Sequence, residues 1–130
     1  MSEQSINLTE AEWSVMECLW EKSPRTGREV TQYLEKKSGW NRSTTLTLLS
    51  RLEAKGAVIS NSADNPKSFS AALMREDAAQ HETEGFLSRV YRGSLSLMVS
   101  SMTKKQALSK AEIDELYAML KELEGGRADD

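Results

Sequence analysis

The stretch from Trp40 to Gly56 carries two contrasting faces on one helical period, and this constrains the chain more than any other segment. Thr45, Leu48, Leu49 and Leu52 recur at i, i+3, i+4 and i+7, so they stack on one side of a helix and need a core beneath them. Arg42, Ser43, Thr44, Leu46, Thr47, Ser50 and Arg51 are left on the other side. Asn41 is placed to cap the helix N-terminus, Gly56 to stop it, and Lys55 to complement the negative end of its dipole. Short hydroxyl side chains let a backbone come close to a nucleic-acid groove, and flanking arginines can meet phosphates or guanine edges. Asn41, Arg42, Ser43, Thr44, Leu46, Thr47 and Arg51 are therefore candidate DNA-binding residues, with Leu46 suited to a thymine methyl.

The flanks supply what such a helix needs. Thr9 and Glu12 form a capping-box pair, after which Trp13, Met16, Leu19 and Trp20 continue an apolar face until Ser23-Pro24 breaks it. A second helix from about Thr26 to Lys37 turns Val30, Tyr33 and Leu34 inward, and Ser38-Gly39 separates it from the third. Beyond Gly56, Ala57 to Ser60 reads as a strand, Asn61 to Lys67 as a turn-rich loop and Ser68 to Leu73 as a returning strand. Three helices and a hairpin make a winged helix-turn-helix, predicted over residues 7–73, with Lys67 in the wing as an eighth candidate DNA contact.

Charge is distributed in keeping with this reading. The net charge is −3, yet residues 22–67 hold nine basic against four acidic side chains, while residues 1–21 hold five acids and no base. A basic middle between acidic ends suits a DNA-reading module joined to an acidic assembly region. One cysteine, Cys18, and one histidine, His81, give no disulfide and no metal-ligand spacing, so neither metal nor cofactor is expected. No Gly-rich phosphate loop or nucleophile–base spacing points to an enzyme. The first residues have neither a basic nor an apolar leader region and no apolar run is long enough to span a bilayer, which predicts a cytoplasmic protein with no membrane partner.

The remaining residues are helical, predicted as an assembly region over 74–124. Ala79, Thr83, Phe86, Leu87 and Val90 share one side of a helix from Glu76 to about Arg92; Leu95, Met98, Val99 and Met102 stripe the next, from about Ser94 to Lys104. A second capping box, Ser109 to Glu112, opens the last helix, where Ile113, Leu116, Tyr117, Leu120 and Leu123 follow until Gly125-Gly126, leaving Arg127 to Asp130 as a loose tail. About fifty residues are too few to enclose a stable core readily, so these stripes call for a partner, and a homodimer is the simplest closed assembly. Leu95, Met98, Val99, Met102, Ile113, Leu116, Tyr117 and Leu120 are the expected interface. The competing reading from a different class is an adaptor whose outward helix face holds another protein.

With these residues in view, the chain resembles the penicillinase repressor family of bacterial winged-helix repressors from about Leu8 to Leu123. The likeness rests on Leu8, Thr9, Glu12, Trp13, Val15, Met16, Leu19 and Trp20; on Arg28-Glu29-Val30; and on Trp40 followed by Thr44, Thr47, Leu49, Arg51, Leu52, Lys55 and Gly56. It implies an N-terminal DNA-binding domain, a C-terminal three-helix dimerisation domain, and a homodimer that blocks transcription from palindromic operator DNA. For the antibiotic-resistance branch it also implies a regulatory peptidase as partner, cutting an Asn-Phe bond in the first half of the dimerisation domain. Here the matching segment reads Val99-Ser100-Ser101-Met102-Thr103, and the chain has no Asn-Phe pair. The copper-responsive branch carries C-terminal Cys-x-Cys pairs, and no cysteine follows Cys18. Resistance-branch members often place a basic residue where Leu46 stands and a more basic wing than Ser60 to Ser68, whose one base is Lys67.

Overall fold

The computed structural model describes residues 6–104 and 108–127, so that residues 128–130 of the expected tail lie outside the described residues. The order of elements is α1 (Glu10–Glu21), β1 (Arg25–Thr26), α2 (Gly27–Ser38), α3 (Arg42–Lys55), β2 (Val58–Asn61), β3 (Ser68–Ala71), α4 (Arg75–Tyr91), α5 (Leu95–Lys104) and α6 (Lys110–Arg127). The chain divides into two compact units, Met1–Glu84 and Gly85–Asp130, with the division falling inside α4.

The first unit is a winged helix. Its first three helices start on side-chain caps: Thr9 for α1, Thr26 for α2 and Asn41 for α3. Thr9 with Glu12 and Thr26 with Glu29 are reciprocal, each threonine hydroxyl accepting from the glutamate N–H while the carboxylate accepts from the threonine N–H. Helices α2 and α3 end on Gly39 and Gly56 at φ 73° and 87°, the left-handed conformation that a Cβ would oppose. Between these stops Val15, Met16, Cys18 and Leu19 of α1, Val30 and Leu34 of α2, and Leu48, Leu49 and Leu52 of α3 close one core with Val58 and Phe69 of the wing.

The expected hairpin forms and gains a third strand. The wing is a three-stranded antiparallel sheet in the order β1-β3-β2, with Arg25 opposite Phe69, Thr26 opposite Ser68, and Val58 opposite Ala71. A two-residue strand has no periodicity to read, which is why β1 escapes notice in the sequence. Its pairing makes β3 the central strand, and Ser68 and Phe69 are both buried where strict alternation would expose one of them.

Trp13 and Trp20 lie at the border of the apolar face of α1. Both are half-buried at the edge of the core, with Trp13 Nε1 donating to Glu17 Oε2 at 2.9 Å and Trp20 Nε1 donating to the Leu73 carbonyl at 2.8 Å. An indole N–H needs an acceptor, which holds such a ring at a boundary instead of in a wholly apolar interior. Met16 and Leu19 of the expected face are buried, together with Val15, Cys18 and Glu12, which is 1% exposed.

In the second unit the Ser109–Glu112 box opens α6, Ser109 Oγ accepting from the Glu112 N–H and Glu112 Oε1 from the Ser109 N–H. Helix α6 runs through Gly125 and Gly126 to Arg127, because neither glycine takes the left-handed turn that stops a helix. Among the described residues no helix is long and apolar enough to cross a membrane.

Candidate nucleic-acid interface

Helix α3 presents the two faces that its period requires. Thr45, Leu48, Leu49 and Leu52 are buried, and Asn41, Arg42, Ser43, Thr44, Thr47, Ser50 and Arg51 are exposed together on the opposite side and at the N-terminal end. Asn41 Oδ1 accepts from the Thr44 N–H at 2.8 Å, so its acceptor serves the cap and its amide N–H group is what remains to offer outward. Leu46 sits differently from its neighbours. It is half-buried against the core, and a Cβ added at Gly27 would stand 3.6 Å from its Cδ2 and 3.6 Å from Phe69 Cε1. Lys67 is exposed at the end of the wing loop, its ammonium 5.4 Å from the Phe69 ring centroid.

Several polar contacts that position this face are invisible in the pattern of the sequence. At the far end of α3, Lys55 Nζ lies 2.6 Å from Glu12 Oε1 and 2.8 Å from the Asn7 carbonyl, tying the helix to the start of α1. Burial pushes the Glu12 carboxyl upward, but Lys55 and the Thr9 hydrogen bonds outweigh it and hold the group below the ordinary value of 4.5. Asn7 is fixed in turn by His81 of α4, whose Nε2 lies 2.9 Å from its Oδ1. Ser60 of β2 donates to Glu53 Oε2 of α3 at 2.5 Å, joining wing to helix, and Ser68 donates to Asp64 across the base of the wing loop. The Thr9–Glu12 box marks Glu12 as a cap, and nothing in its spacing reveals that the same carboxylate also receives Lys55.

Cys18 is buried and its thiol is pushed up to about 11 by desolvation, which leaves it an inert part of the core. Among the described residues no group of three or more His, Cys, Asp or Glu side chains is placed to hold a metal ion.

The eight residues expected at a subunit interface come together in the second unit. Leu95, Met98, Val99 and Met102 of α5 and Ile113, Leu116, Tyr117 and Leu120 of α6 line one apolar groove of about 660 Å³. Tyr117 is 67% exposed and Leu120 57%.

The comparisons with known proteins agree with this architecture. The chain is 33% identical over 115 residues to the penicillinase repressor of Bacillus licheniformis, covering 88% of this chain and 90% of that protein. It is 29% identical over 121 residues to the methicillin resistance regulatory protein MecI of Staphylococcus aureus, covering 92% and 98%. The solution structure of the DNA-binding domain of the repressor BlaI superposes with a TM-score of 0.51 at 27% identity, over 58% of this chain and 93% of that one. The model of the penicillinase repressor family matches residues 8–122, and the chain belongs to that family.

Proposed function

We propose that this DNA-binding repressor is a cytoplasmic, non-catalytic homodimer that represses transcription from palindromic operator DNA. Residues 7–73 read the DNA and residues 74–124 hold the two copies together. The observation that carries this reading is the outward side of α3, where Ser43, Thr44 and Thr47 stand exposed between Arg42 and Arg51 while the apolar stripe behind them is buried. In the major groove the hydroxyls face base edges, Arg42, Arg51 and Lys67 meet phosphates, Asn41 offers its amide N–H, and the uncovered part of Leu46 borders the bases. Two such helices related by a dyad engage half-sites about 34 Å apart, or a multiple of that spacing.

Selection of genomic fragments by the purified protein, followed by gel shift across a salt series, tests the proposal. A saturable complex with an inverted repeat is expected. Arg51→Ala weakens binding to all sequences and lowers the salt slope by about 1, whereas Thr47→Ala relaxes sequence preference by about 1–3 kcal/mol at the contacted base. An adaptor that uses the same face for another protein gives no sequence-selective complex at moderate salt.

A further inference from the structure

A knot of side chains lies where the wing runs into α4. Arg75, the first residue of α4, donates from Nε to Glu17 Oε1 at 3.2 Å and from Nη2 to Glu17 Oε2 at 2.9 Å. Its guanidinium also lies 5.9 Å from the Trp13 ring centroid and 5.8 Å from that of Trp20, and the two indoles meet edge to face at 5.1 Å and 74°. Trp13 Nε1 donates to the same Glu17 oxygen that receives Arg75 Nη2, and Trp20 Nε1 donates to the Leu73 carbonyl just before α4 begins. Both carboxylate oxygens and both indole N–H groups are therefore committed. A planar fork paired with a carboxylate through two parallel bonds and flanked by two rings fixes direction as well as position. None of these four side chains belongs to α3 or to the wing, so the knot lies outside the DNA-facing surface itself.

We infer that Arg75 and Glu17 are positioning residues for operator spacing, setting the direction in which α4 leaves α1 and hence the half-site separation that two recognition helices engage together. The inference rests on the dimeric reading above. Helix α4 continues without a break from Arg75 to Tyr91, so a direction set in its first turn is carried along 17 residues of hydrogen-bonded backbone. One base pair added at the operator dyad displaces a half-site by about 3.4 Å and turns it by about 35°. A first turn of α4 locked onto α1 resists that change, whereas one with a loosened knot accommodates it.

The probe is the palindromic duplex that the wild-type protein enriches from random-sequence DNA, together with its single half-site and versions with one base pair inserted or removed at the centre. Full-length wild type is expected to lose about tenfold or more in affinity on the altered spacings, while Arg75→Ala and Glu17→Gln lose less than about threefold. Both variants should bind the single half-site within about twofold of wild type, which certifies a folded winged helix. Arg75→Lys keeps the charge without the fork and should fall between them. Variants that keep the wild-type spacing preference, or that lose half-site and palindrome binding in equal measure, overturn the inference alone. Wild-type protein that binds half-site and palindrome equally well takes the dimeric reading down with it.

Discussion

In the N-terminal unit the helical stripes end in a closed core, with Leu34 and Leu52 both 0% exposed, whereas in the C-terminal unit stripes of the same period leave Leu120 at 57% and Leu123 at 64% exposure. Helix α5 has no buried residue at all. The contrast arises from the number of layers each unit can assemble. Three helices and a sheet cover one another in the first, while α5 and α6 line a groove whose apolar side chains stay largely exposed. A hydrophobic stripe thus records that a helix needs covering, and says nothing about whether the cover comes from the same chain.

The largest test of this contrast concerns the open groove. Changing Leu116 and Leu120 to Asp removes apolar cover worth about 1.5–3 kcal/mol per leucine and places charge where a second copy would sit. The expected outcome, read by sedimentation equilibrium, is a weakening of self-association by at least about a hundredfold with the winged helix still folded. A variant as dimeric as wild type would show that the groove is not the interface, and a wild-type monomer would show that the groove needs no partner.

A smaller test concerns the polar staple of the closed unit. Glu12→Gln should cost about 1–2 kcal/mol in urea unfolding at neutral pH, because the Lys55 ammonium loses a charged partner next to the core. The folded carboxyl titrates below its ordinary value of 4.5, so its contribution is complete above that pH and fades as acid protonates the folded form. Wild type and variant should therefore converge in stability as the pH falls below 4.5. A gap that persists in strong acid would place the effect in packing instead of charge.

The smallest effect sharpens how complete the closed core is. Thr45 Oγ1 is buried without a hydrogen-bond partner on the inner face of α3. Thr45→Val keeps the shape and removes the orphaned hydroxyl, so a gain of about 1 kcal/mol in unfolding free energy is expected. A loss of stability would reveal that the hydroxyl is satisfied in solution.

What the sequence discloses follows the same division. The capping boxes at Thr9 and Ser109 and the glycine stops at Gly39 and Gly56 locate helix ends because each rests on contacts within four residues. The buried and exposed sides of α3 are legible because one period covers the whole helix. Contacts between distant residues leave no such trace. Glu12 to Lys55, Arg75 to Glu17 and β1 to β3 join residues 43, 58 and more than 40 positions apart, and no local pattern selects those partners. Leu46 shows the cost on the candidate interface itself, since its period places it outward while Gly27 and Phe69 draw it half under cover.

The pairing of β3 on both edges has a consequence for which part of the wing can change length. With β1 on one side and β2 on the other, the register of the central strand is pinned at Ser68 and Phe69, and only the segment from Ser62 to Lys67 is free of the ladder. Insertions there would lengthen the wing loop while leaving the sheet register and α3 in place, since enlarging a loop costs only about 0.6 kcal/mol per doubling. The tip is thus an adjustable finger on a fixed hand, and graded insertions between Ala63 and Lys67 change its length without disturbing the ladder beneath it.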